Sequence, residues 1–403
     1  MRINSISKKV SGDKAILSAE IESPGFNNDI KTIFFSFPKE YSDHMPLSAD
    51  PFFPAVLIPA MVAGEDLEII PAISEKILDN QSTIQDIFKT WHPDKLSKIN
   101  VRANSFYESS ANASRKNATF FSMGVDSMYT MLKYLPKNDP PEGTQLNTLV
   151  YMKGLELPLS TYSAGQDKEV IAAIKNVASH YSLDLITGET NMRDIFPLDF
   201  VKLYLGPCLA SSALSLSEGF KNFYIPSHYS YADLFPVASS PLLDHLWSNA
   251  STSIIHDGSD KERAQKITSL IANDSFALDN LRVCVDNVGG NYNCCKCWKC
   301  VRTMLTLEII GKLEESKAFP EPLPGCYAKE LKTYNYDSMI YAKENLRLAQ
   351  KHGNKEIERI LNNEIRIGKL DLLREGRSLF FLIRELIYYF SVKAGRWLRL
   401  IKY

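Results

Sequence analysis

Between Asn117 and about Leu313, short apolar runs alternate with segments of helical spacing, and this alternation constrains the fold more than any other feature of the chain. The strand candidates are "ATFFSM", "NTLVYM", "LDLITG" and "NFYIPS"; the helical segments between them include "DSMYTMLKYL", "KEVIAAIKNVASHY" and "LGPCLASSALSLSEGF". Strands joined through helices pair in parallel, because a parallel neighbour needs a crossover that the helix supplies. The expected class is therefore α/β, a parallel sheet wrapped by helices, with ligands at the carboxyl ends of its strands.

The flanks read differently. Residues 1–112 carry strand-like "KAILSAEIES" and "IKTIFFSF", a Pro-rich "DPFFPAVLIPAM" and a helical piece around Ile73 to Thr90, the pattern of an accessory α+β domain. Residues 113–325 form the expected central domain, and 326–403 a helical C-terminal region. A chain of 403 residues is long enough for two or three domains, and 45% apolar with 23% charged residues is the composition of a globular protein. The net charge of −1 gives no overall basic field of the kind that nucleic-acid binding uses. The first residues, "MRINSISKKVSGDK", lack the apolar run of a secretory signal, so the cytoplasm is the expected compartment.

The first candidate site is the turn in "FFSMGVDSMYTM". A strand passing directly into a helix exposes unpaired N–H groups where the helix dipole also favours an anion, and phosphate suits such a place. Gly124 permits close approach, while Ser122 and Ser127 add hydroxyl donors. Asp126 would repel phosphate unless it binds Mg²⁺ or caps the helix. The plain alternative is a capped helix start such as any α/β domain contains.

The second is "LRVCVDNVGGNYNCCKCWKCVRTM", in which Cys284, Cys294, Cys297 and Cys300 give C-x9-C-x2-C-x2-C. Four thiolates so spaced converge on Zn²⁺, and four protein ligands leave no open position for a catalytic water, so the site reads as structural. An iron–sulfur cluster or unligated thiols are the alternatives. Cys295 is expected to be a spectator, and Cys208 and Cys326 to be packed residues.

Ser122-x-Gly124-x-Asp126-Ser127 after a strand resembles the Ser-Gly-Gly-x-Asp-Ser signature of the PP-loop enzymes, the N-type ATP pyrophosphatases, with Met123 where that family has its second glycine. The turn together with the later cysteines resembles the 7-cyano-7-deazaguanine synthase family over about half the chain. The resemblance implies a Rossmann-like sheet of PP-loop type, ATP held by Ser122, Gly124, Asp126 and Ser127, and Asp126 near Mg²⁺. It further implies electrostatic roles in catalysis for Arg193, Lys261 and Arg263, and an acceptor facing Asn191, His228, Asp233 and Asp244, with His228 as a base. "SSPLLDHLW" does not match that family's substrate motif, so the chain reads as a relative with a different acceptor.

The expected function is an ATP-dependent ligase that adenylates a carbonyl or carboxylate oxygen, releases pyrophosphate and forms a C–N bond with an amine or ammonia. The alternatives are ATP-dependent sulfur transfer to tRNA or a small molecule, which would need one of Cys208, Cys295 or Cys326, and a non-catalytic zinc-stabilised interaction module. The expected partners are a small-molecule or macromolecular acceptor and a second copy of the chain in a homodimer. From Lys369 to Tyr403 eight Lys/Arg against three Asp/Glu are interleaved with aromatic residues, a basic helix expected to dock on protein or lie on a membrane surface.

Overall fold

A computed structural model of the chain describes residues 1–26, 30–107, 115–162, 165–286, 292–331, 333 and 336–374. The chain divides into two compact units, Met1–Arg282 and Val283–Tyr403.

The first unit opens with β1 (Arg2–Ser11), β2 (Lys14–Glu22) and β3 (Ile30–Pro38), an antiparallel meander. In β2 the alternation of Ala15, Leu17, Ala19 and Ile21, all buried, with more exposed neighbours is the period-2 pattern of a strand covered on one face. Short strands follow: β4 (Leu67–Ile69), β5 (Ile73–Ser74), β6 (Val101–Ala103) and β7 (Phe106–Tyr107). The Pro-rich stretch becomes a helix, Phe53–Ala63, with Pro54 in its first turn, where no N–H partner is needed, and Gly64 closing it at φ 68°. Phe53 to Met61 are buried without a break, so this is a core helix with no solvent face to announce it by periodicity.

The remaining strands are β8 (Lys116–Phe120), β9 (Thr148–Lys153), β10 (Asp184–Thr190), β11 (Phe220–Pro226) and β12 (Ser253–Asp257). With β1 to β4 and β6 they form one ten-stranded sheet in the order β12-β11-β8-β9-β10-β3-β2-β1-β4-β6, parallel from β12 to β10 and mostly parallel overall, while β5 and β7 pair with each other. The four strands expected from sequence are β8 to β11. Helices Val125–Lys133, Gln166–His180 and Leu205–Leu214 follow β8, β9 and β10 as expected.

The expected boundary near residue 112 is not a structural division. β3 pairs antiparallel with β10 through Phe35 and Ser36, so the N-terminal strands extend the central sheet. Their side chains share one core, in which Ile33, Phe35 and Phe37 join Val150, Ile186 and Phe223. The physical reason is an edge: β10 would otherwise expose a row of unpaired backbone groups, and β3 covers it. Chain division falls instead at Arg282, which sets the cysteines in the second unit, not with the turn in a single 113–325 domain.

In the second unit, helix Trp298–Ile309 packs against helix Tyr336–Lys351, which in turn packs on Lys355–Arg374. Met339, Ala342 and Ile365 form a small apolar cluster there, and Asn345 Nδ2 and Thr306 Oγ1 tie the first two helices together. The basic segment beyond residue 374 lies outside the described residues. Among the described residues no helix is long and apolar enough to cross a membrane.

Candidate functional site

In the parallel set, β8 is the central strand, with β9 and β10 on one side and β11 and β12 on the other. The connections reverse direction between β8 and β11, and the carboxyl ends of those two strands are where an open α/β sheet forms its crevice. Ser122–Ser127 leaves β8 at that place, and Ser227–His228 leaves β11 beside it.

The turn is held by its own hydroxyls. Ser127 Oγ donates to Gly124 O at 3.1 Å and accepts from Ser122 N at 3.3 Å, and Gly124 N donates to Ser122 Oγ at 3.4 Å. Gly124 is the N-terminal cap of helix Val125–Lys133, and no side chain closes the first turn. Met123 adopts φ 62°, the left-handed region, with its side chain buried, and its carbonyl accepts from Arg282 N at 2.9 Å. A left-handed non-glycine residue costs about 1–2 kcal/mol, so the turn keeps the backbone shape glycine would give and adds a buried thioether.

Asp126 neither caps the helix nor stands open for Mg²⁺. Its Oδ2 accepts from Arg263 Nη1 at 2.7 Å, and its Oδ1 from Lys266 Nζ at 3.0 Å. His228 Nδ1 lies 3.7 Å from Oδ2. Burial opposes ionisation of this carboxyl, but the charges of Lys266 and Arg263, with His228 at longer range, hold it well below the usual carboxylate range. Lys266 also donates to Ser227 O at 2.6 Å and Ser227 Oγ at 2.9 Å, so it clasps the ends of β8 and β11 together. Two fixed cations against one carboxylate leave a net positive charge before His228 is counted. Arg263 Nε is a buried donor with no partner.

The backbone behind the cluster is tight. Gly258, at φ 93°, precedes helix Arg263–Ser269, and a Cβ there would meet Ser227 Oγ at 3.3 Å and the Lys266 Cε at 3.4 Å. The neighbouring Asp257 is a buried brace: it accepts from Thr130 Oγ1 at 2.7 Å, Lys133 Nζ at 2.6 Å and Tyr134 OH at 2.9 Å. It fixes the helix behind the turn to β12.

Of the expected site residues the structure gathers Ser122, Gly124, Asp126, Ser127, His228 and Arg263. Lys261 is half-buried in the turn before Arg263, its N–H donating to Gly258 O. Asp233 accepts from Ser230 Oγ at 3.0 Å in the loop after β11. The others have different work. Asn191 spends its amide on the edge of β3, donating to Thr32 O at 2.8 Å and accepting from Phe34 N at 3.0 Å. Arg193 donates to Leu155 O and Glu156 O at 2.8 and 2.6 Å and stacks on Phe200, tying down the loop after β9. Asp244 is fully buried, accepting from Ser239 Oγ at 2.8 Å, with His256 Nδ1 2.7 Å away. None of these three presents an open group to an acceptor, because each satisfies buried or main-chain partners first.

Sequence reasoning missed Lys266 and Ser227. The signal for Lys266 was its i,i+3 spacing from Arg263, which puts both on one helical face. Ser227 gave none, since a serine after a strand is ordinary.

In the second unit the sulfurs of Cys284, Cys294, Cys297 and Cys300 all lie within 4.8 Å of one another, a group that can hold a metal ion. Cys284 supplies the far ligand, and helix Trp298–Ile309 starts inside the final knuckle, with Cys297 as its cap. Asn293 braces the loop, its Oδ1 accepting from Val283 N and its Nδ2 donating to Ala318 O, both at 2.9 Å. A hydrogen bond from the Cys300 thiol draws the Cys297 thiol down to about 4, while the same contact and burial push Cys300 up. Cys295 is buried at φ 57° and is not in the group, as expected. Cys208 is buried in helix Leu205–Leu214, and Cys326 is exposed. No family model, curated protein or solved structure matches this chain.

Proposed function

We propose that this chain binds ATP with its phosphates over Ser122–Ser127 and uses it to adenylate a carbonyl or carboxylate oxygen, releasing pyrophosphate, before an amine or ammonia forms a C–N bond. The observation that carries the reading is the coincidence of three features at one point. The reversal of strand order between β8 and β11, the open start of helix Val125–Lys133 and the Arg263–Lys266 pair on Asp126 all meet at the turn. The order of the parallel strands and the turn's sequence together support a sheet of PP-loop type.

ATP supplies a good leaving group, AMP, on an oxygen that otherwise leaves poorly. The chain's share is positional. The first-turn amides of Val125 to Ser127 have no carbonyl one turn back to bond and face an anion at the turn. Arg263, with its unpartnered Nε, faces the charge that develops on the departing pyrophosphate. Asp126 holds both cations in place. Both its oxygens already accept from cations, so it is a poor Mg²⁺ ligand, and no step here runs through that ion. His228, exposed beside Asp126, is the group placed to take a proton from the incoming amine. The four cysteines, chemically suited to Zn²⁺, serve folding, since four thiolates leave no vacant position. Sulfur transfer finds no support at Cys208, whose burial pushes its thiol well up and away from the nucleophilic thiolate.

Calorimetric titration of the zinc-loaded, full-length chain with ATP and Mg²⁺ tests the reading. Micromolar binding that Arg263→Ala weakens by roughly tenfold or more supports it. A folded wild type that takes up no ATP overturns it and leaves the interaction module.

A further inference from the structure

A third basic residue, Arg282, is joined to the turn through its main chain. Arg263 and Lys266 approach with Ser227 from the β11 side, whereas Arg282 reaches toward the loop after β9, and β9 and β11 are the two neighbours of β8. Arg282 belongs to the turn by its main chain: its N–H donates to Met123 O, and its carbonyl comes within 3.8 Å of where a Cβ on Gly124 would stand.

The side chain of Arg282 is 10% exposed, yet among the described residues its guanidinium donates no hydrogen bond, and its salt-bridge partner is Glu156 Oε2, 3.8 Å away. Glu156 itself is 54% exposed. The donors of this fork are left to solvent and to whatever ligand reaches them. The other arginines near the sheet ends differ: Arg193 bonds two carbonyls and Arg263 a carboxylate. Nor is the distance set by an untied loop. Arg193 holds residues 155 and 156 by their carbonyls, and Asp194 accepts from Leu159 N and Ser160 N at 3.0 and 3.1 Å. Only the Glu156 side chain needs to swing for Arg282 to change partner.

We infer that Arg282 is a second anion-binding residue of the turn, taking the terminal phosphates of a nucleoside triphosphate or the pyrophosphate they become, and that Glu156 stands in for that anion until it arrives. This rests on the nucleotide reading of Ser122–Ser127. A planar fork that meets two phosphate oxygens at once gains more than it does from one distant carboxylate, so a polyphosphate displaces Glu156. Glu156 in turn sets a threshold: it competes with weak single anions and yields to a ligand that also bonds the helix start.

The test is calorimetric titration of the full-length wild type, Glu156→Gln, Arg282→Ala, Arg282→Lys and the double variant, with inorganic pyrophosphate and separately with ATP, and melting curves to confirm folding. Glu156→Gln is expected to tighten pyrophosphate binding severalfold, and Arg282→Ala to weaken it by roughly tenfold. The gain from Glu156→Gln should vanish in the Arg282→Ala background, and Arg282→Lys should restore part of the affinity. Unchanged binding in Arg282→Ala, or a Glu156→Gln gain that survives there, overturns the inference while leaving ATP binding intact. Pyrophosphate binding that depends on Arg282 in a protein that ignores ATP upholds the inference and overturns the nucleotide reading. Binding of neither ligand by any variant overturns both.

Discussion

The cysteine group and the Asp126 cluster are built in opposite ways. Cys284, Cys294, Cys297 and Cys300 come from one short stretch of chain and meet through a loop and the first turn of one helix. Asp126, Ser227, Arg263 and Lys266 come from the segments that follow three strands of a sheet and meet because β8, β11 and β12 are neighbours. Both contain a buried non-glycine residue in the left-handed region, Cys295 in one and Met123 in the other. The first site is a local turn whose four sulfurs can hold a metal ion, and the second relies on a whole fold to hold its charges. Each should therefore fail in its own way.

The largest effect separates them outright. Stripping the metal with a chelator should release protection from hydrogen exchange in helices Trp298–Ile309 and Tyr336–Lys351 while β8 to β12 keep theirs, since a structural zinc site is worth on the order of 10 kcal/mol. Retained protection in both helices would show that the thiols are unligated, and a visible absorption band from the purified protein would replace zinc with an iron–sulfur cluster.

Next comes Lys266→Met. It leaves a buried carboxylate with Arg263 as its remaining fixed cation and should cost about 3–5 kcal/mol in urea unfolding of the first unit, with no change in metal content. A loss under about 1 kcal/mol would mean that Asp126 is wetter than its partners imply.

The pH response sharpens the same contrast. Asp126 titrates below its unfolded value of about 3.9, so the unfolded chain binds more protons and stability rises with pH through that window. The stabilisation is complete above about pH 5 and is lost as pH falls through the folded value. Asp126→Asn should lower stability at neutral pH and flatten this acid decay. Asp50 has the reverse sign, because burial pushes its carboxyl up even as Ser74 N and Asn249 Nδ2 donate to it. An unaltered acid profile in Asp126→Asn would assign the decay to other carboxylates.

The smallest effects fall on the two left-handed residues. Cys295→Ser should leave one metal per chain, because its sulfur is not among the four. Met123→Gly should change stability by only about 1 kcal/mol, relief of the backbone strain being set against lost side-chain burial, and should leave ATP binding in place. Loss of metal in the first, or of binding in the second, would make these residues parts of their sites.

The sequence by itself determined what is local. Short apolar runs alternating with helical spacings marked β8 to β11 and the helices after β8, β9 and β10, and the cysteine spacing marked the four sulfurs that gather, because these signals travel within a few residues of the groups they position. It also marked the turn itself, a strand passing directly into a helix. The tertiary structure decided what needs partners distant in the chain. β1 and β12 had no clear pattern of their own and exist through pairing, while helix Phe53–Ala63 hid inside a Pro-rich apolar run because it is buried on every side. Asn191, Arg193 and Asp244 looked like open functional groups, yet β3, the loop after β9 and His256 claimed them. Asp126 was legible as a charge at a helix start, but whether it faced a metal or a pair of cations depended on where Arg263 and Lys266 arrived. A charge seeks whatever counter-charge the fold delivers, and sheet order, which no short stretch of sequence encodes, makes that delivery.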